Sequence, residues 1–200
     1  MITTIKMNHS SLSASPSFGG GTGEAKHIYL IRHTSVAVPK GTCYGQSDVP
    51  VADTFEQEAA VTKSHLDGIT FDRVYTSPLS RAARLAAYCG YPDAIRDDRL
   101  MEMDMGEWEM QRYDDITDPA LQAWYDDYMH LPATGGESFP MLRRRVSSFL
   151  DELLKQPFER VAIFAHGGVL VSAGLYFGLF AEADAFAHLT PYGGIMVVDY

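Results

Sequence analysis

Three short apolar runs, each closed by a turn that carries a basic side chain, constrain this chain more than any other feature. Ile28-Tyr29-Leu30-Ile31 ends abruptly in Arg32-His33-Thr34. Arg73-Val74-Tyr75-Thr76-Ser77 runs into Pro78-Leu79-Ser80-Arg81, and Val161-Ala162-Ile163-Phe164-Ala165 into His166-Gly167-Gly168. A continuous apolar run of this length, bounded by a turn signal, reads as a strand buried on both faces of a parallel sheet. Open α/β sheets bind ligands just beyond the carboxyl ends of their strands. Two arginines and two histidines converging on one sheet edge describe a phosphate pocket with a nucleophile in it.

Helix signals fall between the runs, which predicts the α/β class. Asp53-Thr54-Phe55-Glu56 resembles a capping box, with Phe55, Ala59, Thr62 and Leu66 following at helical spacing. Ser77 reads as an N-cap with Pro78 at the first helical position, and Ala82, Ala83, Ala86 and Ala87 allow close approach to a sheet. Ala94-Ile95-Arg96 suggests a short strand, Asp118-Pro119 a helix start, and Ile195-Met196-Val197-Val198 a last strand. Ser138 precedes a long helix with the stripe Phe139, Leu142, Val146, Phe149, Leu150, Leu153 and Leu154. Residues 1–26, rich in Ser, Thr and Gly, lack periodicity. They read as a disordered tail, a remnant or a mis-assigned start ahead of one domain at 27–200.

A net charge of −10 over 200 residues argues against nucleic acid or an anionic membrane as partner. An anionic substrate must then be drawn in by a local positive pocket. Cys43 and Cys89 are too few for a disulfide scaffold and lack zinc spacing, so two reduced thiols and a cytoplasmic location are expected. The stretch from Val161 to Ala181 has no charged residue and enough length to span a bilayer, but His166-Gly167-Gly168 breaks it. Strand, turn and buried helix explain it better.

Imidazole suits a phosphoryl nucleophile. It is neutral near pH 7, and its N–P bond is labile enough for water to cleave. His33 stands in that position, its second ring nitrogen needing an acceptor such as a backbone carbonyl. Arg32 and Arg81 follow strand exits where a guanidinium fork can grip two phosphate oxygens, the plain alternative being surface ion pairs. A general acid is expected from the cluster Glu102, Asp104, Glu107 and Glu109, among which spacing does not choose; a solvated acidic loop is the alternative. Met101, Met103, Met105, Trp108, Met110, Tyr113, Trp124, Tyr125 and Tyr128 crowd a segment that either caps the site or simply packs. Arg143, Arg144 and Arg145 read as a solvated helix face. His188 is placed to reach the site late in the chain.

Arg32-His33-Thr34 resembles the Arg-His-Gly signature of the histidine phosphatase family, which includes the phosphoglycerate mutases. Ser77-Pro78-Leu79-Ser80-Arg81-Ala82 resembles its second motif, Glu102 with Gly106-Glu107-Trp108-Glu109 its acid loop, and His166-Gly167-Gly168 its second histidine motif. The motifs occur in family order over about residues 27–200. Through Cys43-Tyr44-Gly45-Gln46-Ser47-Asp48-Val49-Pro50 the likeness is closer to the alpha-ribazole phosphatases of cobalamin biosynthesis.

The resemblance implies a mostly parallel central sheet with helices on both faces and a small helical cap. It implies a phosphomonoesterase working through a phosphohistidine on His33, without metal or other cofactor. Arg32, Arg81 and His166 would hold the phosphate oxygens, with Thr34 and Gly167 beside them, and Glu102 would be the acid. The implied substrate is a small phosphomonoester, alpha-ribazole 5'-phosphate by the closer likeness, and methionine and aromatic walls suit its flat base. Thr34 departs from the family's glycine, and Pro39 stands where many members carry asparagine. Three rivals are a mutase, a metallophosphatase and a non-catalytic phosphate-binding module. The mutase lacks its usual enclosing insertion here, and the metallophosphatase lacks a ligand motif. Oligomeric state stays open.

Overall fold

The computed structural model describes residues 2–6 and 25–200. Its strands are β1 (Ile2–Lys6), β2 (His27–Arg32), β3 (Arg73–Thr76), β4 (Ile95–Arg96), β5 (Arg160–Ala165) and β6 (Ile195–Asp199). The helices are α1 (Phe55–Leu66), α2 (Ser80–Tyr88), α3 (Ala120–Asp126), α4 (Phe139–Leu154) and α5 (Gly167–Tyr176). Five strands form the body of the sheet in the order β6-β2-β5-β3-β4, and β1 joins at the β6 edge. Every pairing is parallel except that of β2 with β6.

The expected α/β fold is present, with helices on both faces. The strands alternate as a period of two requires. Ile28, Leu30, Val161, Ile163, Ala165, Met196 and Val198 face a core shared with α4 and α5. Ile31, Ala162, Phe164, Ile195 and Val197 face the opposite core, built with α1 and α2. The predicted stripe of α4 is buried from Phe139 to Leu153, and α1 buries Phe55, Ala59, Thr62 and Leu66. A smaller cluster of Cys43, Met105, Trp108, Ile116, Leu121 and Ala133 holds the cap together.

Several local expectations need correction. No side chain caps α1, where Thr54 Oγ1 donates to the Glu58 carboxylate at 2.5 Å instead. Ser138 flanks α4 without a side-chain cap bond. Helix α2 begins at Ser80, not Pro78, and its first amide is held by Asp48 Oδ1 at 2.8 Å. Of its alanines, Ala82 and Ala86 are buried, but Ala87 faces solvent. Helix α3 ends before Tyr128.

The tail expected over residues 1–26 lies outside the described residues at Met1 and 7–24. Within it the backbone of Ile2–Lys6 forms a strand that the sequence analysis did not foresee. Lys26 is tied to the domain: its Nζ donates to the carbonyls of Leu154 and Gln156 at 2.7 and 2.9 Å, at and just beyond the end of α4. Among the described residues, no helix is long and apolar enough to cross a membrane.

The core assignment is testable. Phe149 is buried between α4 and the sheet, its ring edge-on to Tyr75 at 5.2 Å. Phe149→Ala should cost about 3–5 kcal/mol in urea unfolding, because a large cavity replaces the ring. Val61→Ala, on the solvent face of α1 at 55% exposure, should change stability by about 0.5 kcal/mol or less.

Candidate active site

Strands β2, β5 and β3 are adjacent, parallel and end at one level. The His33 amide donates to Ala165 O at 3.0 Å and the Ser77 amide to Phe164 O at 2.9 Å, continuing the ladders past the strand ends. His33, Ser77 and His166 therefore emerge side by side. The imidazoles of His33 and His166 lie with centroids 5.1 Å apart, and both residues are buried.

His33 Nδ1 is 2.7 Å from the carbonyl oxygen of Thr34. A carbonyl only accepts, so Nδ1 carries the proton and Nε2 keeps its lone pair. Burial, with the nearby Arg81 and Arg32 charges, pushes the His33 pKa down to about 3, against the bond to Thr34, which raises it. His166 Nε2 meets Ser77 Oγ at 2.7 Å, while its Nδ1 is buried without a partner. Burial, together with His33 and the arginines, holds His166 well below the ordinary histidine range.

Arg81 is fully buried and directs Nη1 to Ser47 O at 2.9 Å and Nη2 to Gly45 O at 2.6 Å. Arg32 gives Nη1 to Thr190 O at 2.7 Å. Among the described residues the Nε of each arginine is buried without a partner, as is Thr34 Oγ1. Among the described residues neither guanidinium has a carboxylate within ion-pair distance. Two tyrosines cover them instead. Arg32 lies 4.1 Å from the Tyr192 ring centroid and Arg81 5.4 Å from that of Tyr44. The two hydroxyls hydrogen-bond at 2.7 Å across the mouth. Unpaired buried N–H groups around an accessible imidazole lone pair are what an anion with an electrophilic centre would complete.

Glu102 sits at the side of this pocket. Its Oε1 accepts from the Met103 amide at 2.9 Å and its Oε2 from the Gly168 amide at 3.1 Å. The Gly168 N–H is thus committed to Glu102 and not free for a ligand. A Cβ on Gly168 would fall 2.5 Å from Glu102 Oε1, so only glycine lets the carboxylate approach α5 this closely. Gly167, the first residue of α5, is buried against Arg32. Beside Glu102 opens a cavity of about 360 Å³, whose walls include Tyr44, Met103, Met105, Tyr113, Trp124, Phe139 and Phe186.

Residues 28–200 match the model of the histidine phosphatase superfamily, branch 1. The chain belongs to that superfamily. Over 151 residues it is 30% identical to the adenosylcobalamin/alpha-ribazole phosphatase of Escherichia coli K12, covering 72% of this chain and 74% of the relative. It is 32% identical over 168 residues to an Enterobacter sp. strain 638 protein named "Probable phosphoglycerate mutase GpmB", with 78% and 77% covered. The crystal structure of the alpha-ribazole phosphatase of Shigella flexneri superposes with a TM-score of 0.76 at 25% identity, over 86% of this chain and 89% of that one.

All the site residues expected of a histidine phosphatase lie around this sheet edge. Thr34 takes the glycine position without a left-handed backbone, since Met110 is the only non-glycine with positive φ among the described residues. Pro39 is exposed on its loop, its carbonyl accepting from the Thr42 amide at 3.1 Å. His188 stacks on Phe180 at 4.6 Å and is not part of the pocket. Sequence reasoning missed Tyr44, Tyr192 and Ser77 as pocket residues. Tyr44 lay inside the Cys43–Pro50 likeness, whereas Tyr192 carried no signal. Among the described residues no group of three or more His, Cys, Asp or Glu is arranged to hold a metal ion.

The depressed imidazole pKa values predict a pH dependence. In the unfolded chain both histidines titrate near about 6.5. Below that pH the unfolded state binds protons that the native site refuses. Stability should therefore fall as pH drops from about 6.5 toward about 3, by about 1.4 kcal/mol per pH unit for His33, with His166 acting in the same direction. Urea unfolding in phosphate-free buffer measures the slope. His33→Asn should make it shallower by about one proton; an unchanged slope would mean that native His33 already protonates like a free histidine.

Proposed function

We propose that this histidine phosphatase hydrolyses alpha-ribazole 5'-phosphate through a phosphohistidine. The observation that carries the substrate is the cavity beside Glu102. Its volume lies in the range of small-molecule sites, about 300–1,000 Å³, and apart from Glu102, Leu142 and Gly168 its walls are methionine and aromatic side chains, with no lysine or arginine. That lining suits a flat apolar base. A mutase acting on a phosphoglycerate would have to seat a carboxylate there without a cation to meet it, which speaks against the second reading. The phosphatases named for alpha-ribazole in Escherichia coli and Shigella flexneri support the first.

In the proposed reaction the phosphate enters between Arg32, Arg81 and His166, which hold its equatorial oxygens, with Thr34 and Gly167 alongside. His33 Nε2 attacks phosphorus as the ester P–O bond breaks, and Glu102 passes its proton to the departing 5'-oxygen. The ring becomes cationic as the N–P bond forms, and its Nδ1–H bond to Thr34 O strengthens accordingly. Water then attacks phosphorus, Glu102 takes its proton, and breaking the N–P bond restores neutral His33 and releases phosphate. Clamping and charge stabilisation supply most of the rate in such transfers.

The test compares alpha-ribazole 5'-phosphate with ribose 5-phosphate, which has the same leaving oxygen but no base. The base should raise kcat/KM by about 10²-fold or more, since burial of a flat apolar group of this size is worth at least about 3 kcal/mol. Trp124→Ala should erase about 10-fold of that advantage and leave ribose 5-phosphate nearly unaffected. Equal kcat/KM for the two substrates would remove alpha-ribazole from consideration. Separately, rapid quench with labelled substrate should trap phosphohistidine in the native enzyme and none in His33→Ala. Undiminished trapping in that variant would take the nucleophile role from His33.

A further inference from the structure

The loop that carries Glu102 has little regular structure to hold it. A 3-10 turn at Asp98–Leu100 leads into extended backbone at Met101. The carbonyls of Arg99, Met101 and Glu102 nevertheless converge on one side chain. Arg145, on α4, donates Nη1 to Arg99 O and Met101 O at 2.9 and 2.6 Å, and Nη2 to Glu102 O at 2.8 Å. Its other edge forms a fork with Glu137, Nε to Oε1 at 2.9 Å and Nη2 to Oε2 at 2.8 Å. These five bonds match the five N–H donors of a guanidinium. Glu137 extends the grip: its Oε2 accepts from the Asp104 amide at 3.0 Å, and its own amide donates to Asp104 O at 2.7 Å. The loop is thereby held at residues 99, 101, 102 and 104.

The neighbouring arginines behave as the helix-face reading expected, which makes the exception informative. Arg144 is exposed, and Arg143 pairs with Glu182 at the surface. Arg145 and Glu137 retain only 18% and 16% side-chain exposure. A pair this buried is a poor way to gain stability, since packed apolar side chains of the same volume do as well or better. What an ion pair adds is direction. The guanidinium fixes where the Glu102 carbonyl lies, and with it the same residue's carboxylate, which is bonded to the Met103 and Gly168 amides.

We infer that Arg145, oriented by Glu137, is a positioning residue that sets the Glu102 carboxylate for proton transfer to the leaving group. The inference rests on the acid role proposed above for Glu102. Lysine at 145 keeps the charge but has no planar fork and cannot serve three carbonyls and a carboxylate together. Displacing a catalytic group by about 1 Å costs on the order of 10²-fold. The loss should follow the leaving group's need for a proton. Ribose 5'-oxygen needs one, whereas nitrophenolate departs as an anion.

The experiment uses Arg145→Lys, Glu137→Gln, Glu102→Gln and the Arg145→Lys/Glu102→Gln double variant, with melting temperature recorded for each. Phosphoenzyme formation is followed by rapid quench and burst kinetics. Arg145→Lys should slow it by about 10- to 100-fold with alpha-ribazole 5'-phosphate and by less than about three-fold with p-nitrophenyl phosphate, at nearly unchanged KM. Glu137→Gln should show the same pattern more weakly, and it serves in place of Arg145→Lys if that variant unfolds. In the double variant the second change should add little to the first. If Glu102→Gln discriminates between the substrates but Arg145→Lys and Glu137→Gln lower both equally, or if the losses multiply in full, the positioning role is overturned alone. If Glu102→Gln itself fails to discriminate, the acid assignment falls and takes this inference with it.

Discussion

Two guanidinium groups at the carboxyl edge of the sheet, Arg81 fully buried and Arg32 partly so, set the terms for the rest of this structure, because among the described residues neither has a carboxylate within ion-pair distance. An unpaired buried charge costs several kcal/mol. The chain offsets part of that cost with backbone carbonyls: Gly45 and Ser47 for Arg81, Thr190 for Arg32. The faces of Tyr44 and Tyr192 offset a further part at distances where cation–π attraction operates. The remaining polar atoms, Nε on each arginine and Nδ1 of His166, have no partner among the described residues. These groups are already ordered and desolvated, so a phosphate meets them without further reorganisation. The tyrosine hydroxyls bridge the mouth above them, and Tyr44 belongs at once to the phosphate pocket and to the apolar cavity.

The nearest carboxylates are used one step back from the cations, which explains how an acidic protein keeps a positive pocket. Glu109 accepts from the amides of Gln46, Ser47 and Met105 at 2.7, 2.5 and 3.0 Å. Burial alone would raise its pKa, but the Ser47 hydroxyl and these amides hold it below the usual carboxylate range. It thereby fixes the loop whose carbonyls hold Arg81. Gly45 is part of the same device: a Cβ there would overlap Met103 O and fall 2.6 Å from the Glu109 carboxylate. Asp48 holds the first turn of α2, on which Arg81 sits. Each acid neutralises polar backbone and shapes a loop without pairing with Arg32 or Arg81.

What the sequence made legible follows from how local each signal is. The strands were readable because burial on both faces leaves a nearly unbroken apolar run, and the exits because Arg32-His33, Ser80-Arg81 and His166-Gly167 interrupt those runs abruptly. The stripe of α4 was readable because six of its residues share one side of a helix. Capping was read less well. Ser77 has the composition of an N-cap, yet its hydroxyl contacts His166 across 89 residues, and α2 takes its cap from Asp48, 32 residues away. Arg145 looked like one of three solvated arginines because nothing local distinguishes it. Its partners lie in a loop more than 40 residues earlier in the chain. Tyr192 becomes visible only when the turn before β6 folds back over His33, where the ring centroids lie 5.4 Å apart.

The two departures from the family pattern have different physical weight. Pro39 is exposed, and its loop closes through its carbonyl, an atom that proline keeps. Thr34 is fully buried, and its hydroxyl has no partner. A buried hydroxyl left unsatisfied costs about 1–3 kcal/mol, a cost that glycine would not carry. The threonine carbonyl receives the His33 Nδ1 proton as a glycine carbonyl would, so the tautomer does not depend on the substitution. Its side chain adds a small polar group next to the imidazole, of the same unsatisfied kind as the Nε atoms of Arg32 and Arg81 and Nδ1 of His166. Among the described residues the pocket therefore carries four buried polar atoms without partners, three of which belong to the side chains that hold the phosphate in the proposed reaction. The fourth belongs to a hydroxyl that can both donate and accept.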